Sequence, residues 1–510
     1  MVQTRPQSNN DVAGFCNLPP ELLAPIIQTF CFHCRGEPDA PYPEAKYVQE
    51  ANQWPHTTLD RDDRKTLNSL SLVSKRIRNI AQDIMYHDVR LERIDDDFML
   101  PADRRLPSLL QTVVSRPDLA RMVKNLRVHR HYKVEVHVDS IREIYQMAAE
   151  ALCLTLLDIW ERMKDDAGET WSDYMTPFLL GKMDHIHRYQ METLSGFFMA
   201  GELVTMLLAL LPNLEHANLD IHKPPTPEAL RALGVTRLPL RAFTTEGQDR
   251  LIKLAKNLDT LTFTKETNLI IPARVKRVWI HHQEGTVRIE HYLRRCKAIT
   301  SFSWQTSSTR VFCYECGIFD VEVSEIIALL HKTRRTLNSL YLDIRFPYHQ
   351  YPIKTEKPVG SLKQFTVLEH LLLCTHSVCP TTGPTRDMPS DQALVDILPS
   401  SLARLSLVTP RGKIDVKVKS ALFELAHYLE HNKVQLPNLK CIRCDSKEIF
   451  EGDDGAIASA FRQVDVNIVY KEFPRFDWSY ETDPDAGYLP VIRCHTCEEY
   501  EAARARRGRH

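Results

Sequence analysis

Leu211-Pro-Asn-Leu-Glu-His-Ala-Asn-Leu219 and Leu436-Pro-Asn-Leu-Lys-Cys-Ile-Arg-Cys444 share one pattern. Each opens on Leu-Pro-Asn-Leu and continues as apolar-x-x-apolar-x-apolar, whose last two apolar positions fall on one face of a strand. The same template fits Val123/Leu126/Val128, Leu258/Leu261/Phe263, Val275/Val278/Ile280, Ile299/Phe302/Trp304, Leu337/Leu340/Leu342, Leu368/Leu371/Leu373 and Leu402/Leu405/Leu407. In a chain that is 43% hydrophobic, chance alone supplies roughly 40 such matches, so the weight comes from context. The repeated Leu-Pro-Asn-Leu is one part of it. The other is a helical segment ahead of most matches: Gln248–Asn257, Ile289–Arg295, Glu322–Arg334, Gln392–Leu398 and Lys417–His431.

From Leu258 onward the matches are spaced by 17, 24, 38, 31, 34 and 37 residues, which suits parallel crossovers and not hairpins. A helix–strand unit has apolar faces that it cannot bury alone, so successive units must stack. The expected fold is therefore α/β: a curved solenoid over residues 93–490, with parallel strands inside and helices outside. A largely helical insertion is expected at about 139–211, opening on a Ser140-Ile-Arg-Glu143 capping box and running through Ile141, Ile144, Met147, Leu152, Leu156 and Trp160.

Composition narrows the function classes. The chain has 510 residues, enough for roughly three domains. With 65 Lys+Arg against 66 Asp+Glu, the net charge of −1 supplies no field toward nucleic acid or an anionic membrane. The longest apolar run, Leu203 to Leu211, is far shorter than the ~20 residues a bilayer crossing needs. The first residues lack the apolar core of a secretory signal, so the thirteen cysteines are expected in a reducing compartment, cytoplasmic or nuclear. Glycine is scarce at 17 residues, and there is no G-x-G-x-x-G, P-loop, H-E-x-x-H or G-x-S-x-G. No catalytic residue and no cofactor is expected.

The amino end carries a second pattern. Residues 1–15 read as disordered. Asn17 is placed to cap a helix opening on Pro19-Pro20-Glu21, and Leu18, Leu22, Ile26 and Phe30, flanked by Leu23 and Ile27, give it a wide apolar stripe. Residues 38–63 read as a solvated loop, rich in proline and charge. Helical periodicity resumes at Thr66 through Leu67, Leu70, Val73, Ile77, Ile80 and Ile84. The stripe is too wide for a helical hairpin to cover, so a partner helix is needed to bury the rest.

Leu18-Pro-Pro-Glu-Leu22, Ile26-Ile27, Leu70-Ser-Leu-Val-Ser-Lys-Arg76, Ile80-Ala81 and Met85-Tyr86 together resemble an F-box. The resemblance covers residues 16–92 and implies a three-helix module of about 45 residues, stretched here by an insertion at about 31–63. Such insertions are similar to those in F-box proteins of filamentous fungi. The strand-bearing region resembles the irregular leucine-rich repeats that often follow an F-box, except that the asparagine capping each turn is not found at a constant offset. Together these imply a substrate adaptor of an SCF-type cullin–RING ubiquitin ligase. Leu18, Pro19, Leu22, Ile26, Leu70, Val73, Arg76 and Ile77 would line the contact with the Skp subunit. A protein substrate would lie on the inner face of the curve, at variable template positions such as His216, Asn218, Arg277, Trp279, Asn338, Tyr341, His370 and Arg404. The alternative is a repeat scaffold without a ligase role, in which the stripe is closed by its own chain.

Four Cys-x-x-Cys pairs occur, Cys31/Cys34, Cys313/Cys316, Cys441/Cys444 and Cys494/Cys497, against roughly 0.3 expected by chance. Residues three apart on a strand face opposite ways, so Cys441 and Cys444 cannot share a metal, and Cys444 reads as a buried hydrophobe. Cys31 and Cys34 share a helix face but have no second pair nearby in the chain. Cys313, Cys316, Cys494 and Cys497 complete a zinc site only if the fold joins them. No metal ligand is assigned. His129/His131, His185/His187 and His281/His282 read as surface residues. Residues 491–510 form a basic tail ending in Arg504, Arg506, Arg507 and Arg509.

Overall fold

In a computed structural model the described residues are 18–31, 33–35, 55–91, 104–128, 134–135, 137–159, 161, 177–178, 181–185, 196–219, 221, 224–245, 249–263, 271–280, 286–293, 296, 298–305, 323–344, 359–379, 392–409, 416–450, 455–471 and 473. The expectations for residues 1–15, the 491–510 tail, Asn17, Cys313, Cys316, Cys494, Cys497, His129, His131, His187, His281 and His282 lie outside them. The chain divides into two compact units, Met1–Arg241 with Arg250–Asn257, and Ala242–Asp249 with Leu258–His510.

The first unit opens on three helices, α1 (Pro20–Gln28), α2 (Pro55–Val73) and α3 (Lys75–Tyr86). Proline suits the first helical position because its missing N–H had no partner there anyway, and the N-cap of α1 is Pro19, whose carbonyl accepts from Leu22 N–H and Leu23 N–H at 3.0 Å each. Helix α2 begins at Pro55, so the stretch read as loop to residue 63 is helical over its last nine residues. The repeating apolar positions from Leu67 to Ile84 do not form one helix. Ser74 takes an extended conformation between α2 and α3, and its hydroxyl accepts the Ile77 N–H at 3.2 Å, an N-cap that restarts the helix. Leu23, Ile27, Cys31, Leu67, Ile77, Ala81 and Ile84 form the buried core of this module.

The chain then enters β1 (Asp88–Leu91), α4 (Arg105–Ser115), α5 (Pro117–Met122), β2 (Asn125–Val128), α6 (Val138–Ala151), a helix at Gly196–Leu210 and β3 (His216–Leu219). These three strands pair in parallel, β1 with β2 and β2 with β3. Helix α6 starts two residues before the expected capping box: His137 is its N-cap, and Ser140 lies inside the first turn without a capping bond.

The second unit holds β4 (Ala242–Thr245), β5 (Thr260–Phe263), β6 (Arg277–Ile280), β7 (Ser301–Gln305), β8 (Ser339–Asp343), β9 (His370–Cys374), β10 (Arg404–Val408), β11 (Cys441–Cys444) and β12 (Asn467–Tyr470). They pair in sequence order, all parallel. Helices precede β7 (Thr286–Leu293), β8 (Val323–Leu330), β10 (Ala393–Ile397), β11 (Val416–Asn432) and β12 (Gly455–Gln463); the segment ahead of β5, expected as an α-helix, is a 3-10 turn at Asp249–Lys253.

The register aligns the template positions across strands. Leu261, Val278, Phe302, Leu340, Leu371, Leu405 and Ile442 are successive partners, as are Phe263, Ile280, Trp304, Leu342, Leu373, Leu407 and Cys444. All are buried. Tyr292, from the helix ahead of β7, stacks on Phe263 with ring centroids 5.0 Å apart, so helices close this side of the sheet. Burial of this kind, at ~25 cal/mol per Å² of apolar surface, drives unit to stack on unit.

Several strands are also fixed to their predecessors at their entry. The carbonyl just before one strand accepts two consecutive N–H groups from the start of the next: Asp259 from Lys276 and Arg277, Thr300 from Asn338 and Ser339, and Glu369 from Ala403 and Arg404. His87 plays the same part in the first unit, accepting from Lys124 and Asn125. The residue immediately before the first template leucine adds a side-chain bond. Asn213 Nδ2 donates to the Arg121 carbonyl at 2.9 Å, Thr336 Oγ1 to that of Ile299 at 2.9 Å and Ser401 Oγ to that of Leu368 at 2.9 Å. At these three matches the donor is Asn once, Thr once and Ser once, so a capping asparagine does not recur at a constant offset.

Candidate functional site

Two surfaces collect the predicted residues. The first is the three-helix module. Helix α1 turns Leu23 and Ile27 into the core, and the same 3.6-residue period turns Leu22 and Ile26 away from it. Leu22 is 54% exposed, Ile26 41% and Val73 55%. Pro19, Pro25 and Arg76 are exposed, and Leu18 and Leu70 are half-buried. Isolated exposed apolar residues are ordinary, but Leu22 and Ile26 stand one turn apart on α1, and a second apolar pair sits at the end of α2. The stripe is therefore divided: half forms the module's own core and half is left open.

Ile77 corrects the expectation. It is fully buried, because the break at Ser74 places it one turn into α3, in line with Ala81 and Ile84 on the core face. Leu72 was missed. At 76% exposure it is the most exposed large apolar side chain among the described residues of the module, and it falls off the three- and four-residue steps that single out Leu70 and Val73. The signal that reveals it is Ser74, since a helix ending at Val73 leaves its last turn open.

The second surface is the sheet face opposite the core rows. At the strand entries Arg277, His370 and Arg404 are half-buried, as are Asn338, Tyr341 and Asn218. Arg277 Nη2 pairs with Asp259 Oδ1 at 2.9 Å. Trp279 and His216 are buried, at 5% and 6% exposure, and neither offers contact area to a partner. Strand alternation sends both to the face expected to be open, but burial there extends to Thr262, Ser303, Leu372 and Ser406 as well. The accessible polar residues lie instead just before the strands, where Lys276, Glu369 and Lys440 are exposed. They carry mixed charge.

The cysteine pairs separate as their elements require. Cys444 occupies the core row of β11 and is fully buried, and burial pushes its thiol up to about 12. Cys441 is half-buried on the opposite face. Cys31 and Cys34 lie in the turn after α1, closed by Arg35 N–H donating to the Cys31 carbonyl at 3.1 Å. That turn brings both sulfurs to one side.

Among the described residues no helix is long and apolar enough to cross a membrane. Residues 274–478 match the family model of a leucine-rich repeat domain, the stretch that contains β6 to β12. Leucine-rich repeat domains stack short units and present an extended surface to protein partners. A search of the curated proteins gave no match. The fold and the comparison agree: residues 274–478 are similar to a leucine-rich repeat domain, built on parallel strands and suited to protein–protein interaction.

Proposed function

We propose that this chain is a substrate adaptor: its amino-terminal helices dock on the Skp subunit of an SCF-type ubiquitin ligase, and its repeat region holds a protein substrate. The observation that carries this reading is the open half of the helical stripe, Leu22, Ile26, Leu72 and Val73, on a module whose other half is already a closed core. Four side chains of this size, removed from water by a partner helix, contribute about 1.5–3 kcal/mol each before the costs of association. Arg76, exposed beside them, offers a cation to an acidic rim. In this reading the chain contributes proximity and orientation, and the chemistry belongs to other subunits.

Co-expression of the full chain with a Skp subunit, followed by size-exclusion chromatography, tests the proposal. Wild type is expected to co-elute with Skp, and Leu22→Asp with Ile26→Asp is expected to abolish co-elution without loss of fold, because both positions are outside the core. A wild-type chain that elutes alone, or a double variant that still co-elutes, overturns it.

A further inference from the structure

The turn after α1 carries more than a cysteine pair. Cys31, His33 and Cys34 meet His87, the residue that ends α3 and opens β1. One donor atom from each of the four lies within 4.8 Å of every other. Cys34 Sγ is 3.2 Å from His87 Nδ1 and 3.8 Å from His33 Nδ1, and the His33 and His87 rings stand edge to face with centroids 5.5 Å apart. Cys31 is buried at 2% exposure and the other three are half-buried.

We propose that Cys31, His33, Cys34 and His87 form a tetrahedral zinc site that ties the helical module to the first strand of the sheet. A Zn²⁺ ion with bonds of about 2.3 Å to sulfur and about 2.0–2.1 Å to nitrogen has donor–donor edges of roughly 3.3–3.8 Å. The two sulfur–nitrogen separations, 3.2 and 3.8 Å, already fall at about that edge. Two thiolates and two imidazoles are the donor set of structural zinc. Oxygen-seeking Ca²⁺ and Mg²⁺ have no ligand here. On binding, the two thiols release their protons to solvent and both imidazoles bind as neutral donors.

The second shell fits the same role. His87 is held from behind, since its carbonyl accepts the Lys124 and Asn125 N–H groups at 3.1 and 2.8 Å. Glu215, just before β3, and the buried His216 also bring a donor atom within 4.8 Å of one on His33, and Glu215 is engaged by Lys124 Nζ at 3.0 Å and Arg241 at 3.7 Å. With four protein ligands there is no open position, so the site is structural. It is independent of the docking proposal, because an ion here fixes the module whatever the module meets.

Zinc content of the full chain, purified under reducing conditions and passed through a desalting column, is the test. About one zinc per chain is expected for wild type, falling to about a tenth of that in Cys31→Ser with Cys34→Ser. Loss of both imidazoles in His33→Ala with His87→Ala is expected to reduce it similarly. The exposed trio His427, Glu430 and His431 is the control: His427→Ala with His431→Ala leaves the content unchanged. Cobalt substitution of the wild type reads the donor set directly, without reliance on a variant that fails to fold. Visible ligand-field bands of tetrahedral Co²⁺ and a thiolate charge-transfer band are expected. Wild type free of zinc after reconstitution, zinc retained at full content in the double cysteine variant, or a cobalt spectrum without thiolate bands overturns the proposal.

Discussion

Among the described residues the same left-handed turn recurs four times, and two of the four place glycine there, Gly181 (φ 67°) and Gly234. After α6 the turn residue is Cys153 (φ 57°), after Pro227–Ala232 it is Gly234 (φ 84°), and after Gly455–Gln463 it is Asp465 (φ 61°). In each case the next N–H reaches back five residues: Leu154 to Ala149 at 2.8 Å, Val235 to Leu230 at 2.9 Å and Val466 to Phe461 at 3.0 Å. A Cβ in this conformation costs about 1–2 kcal/mol, offset in part by the smaller freedom of the unfolded chain. Gly234→Ala is therefore expected to lower stability by about 1 kcal/mol, although open space surrounds the position. Cys153→Gly is expected to raise it by about 0.5 kcal/mol. Urea denaturation of the two variants beside wild type measures both, and opposite signs contradict the strain argument.

At the scale of elements, the strands were legible where three apolar positions survived, β1 excepted. All nine template matches are strands, and the missed ones explain themselves. In β12 the first template position is Asp465, and in β4 the third is Thr245. For β1, Tyr86/Val89/Leu91 fits, but Tyr86 belongs to α3 and the stretch was absorbed into the helical module. The break at Ser74 was hidden because Leu67 to Ile84 keeps an apolar rhythm across it. What no pattern showed is how α2 is fastened to β1. Asp88, buried on β1, receives Arg90 Nε at 2.7 Å, and its backbone carbonyl receives Arg64 Nη2, from α2, at 2.9 Å. Burial alone would raise the Asp88 carboxyl, but the guanidiniums of Arg90 and Arg64 outweigh it and hold the group below its usual range. The folded value lies under the unfolded one of about 3.9. The carboxylate thus stabilises the fold above about pH 4, and this contribution is lost as pH falls through the depressed value. Asp88→Asn is expected to cost about 3–5 kcal/mol at neutral pH, because it removes the carboxylate charge that the buried Arg90 guanidinium pairs with. The same variant flattens the acid limb of a stability–pH curve, and an unchanged acid limb contradicts the assignment.

For the molecule as a whole, the sequence showed two kinds of segment, and the physical reason is that one repeats and the other matches end to end. The repeat region declared itself through stacking that every unit must satisfy. The helical stripe declared itself through excess apolar width, and its open half is where Leu22, Ile26 and Val73 were expected. The cysteine–histidine quartet was illegible, since His87 lies 53 residues from Cys34 and only the start of β1 brings it to the turn. Likewise no spacing rule foretold that Trp279 and His216 would be buried on the sheet face reserved for a partner.

Hydrogen–deuterium exchange of the full chain, alone and saturated with purified Skp subunit, tests the adaptor reading most directly. The account predicts that amides in residues 18–31 and 66–80 slow by about tenfold or more on binding, while those in 274–478 exchange as before. Unchanged exchange in 18–31, or protection confined to 274–478, contradicts it.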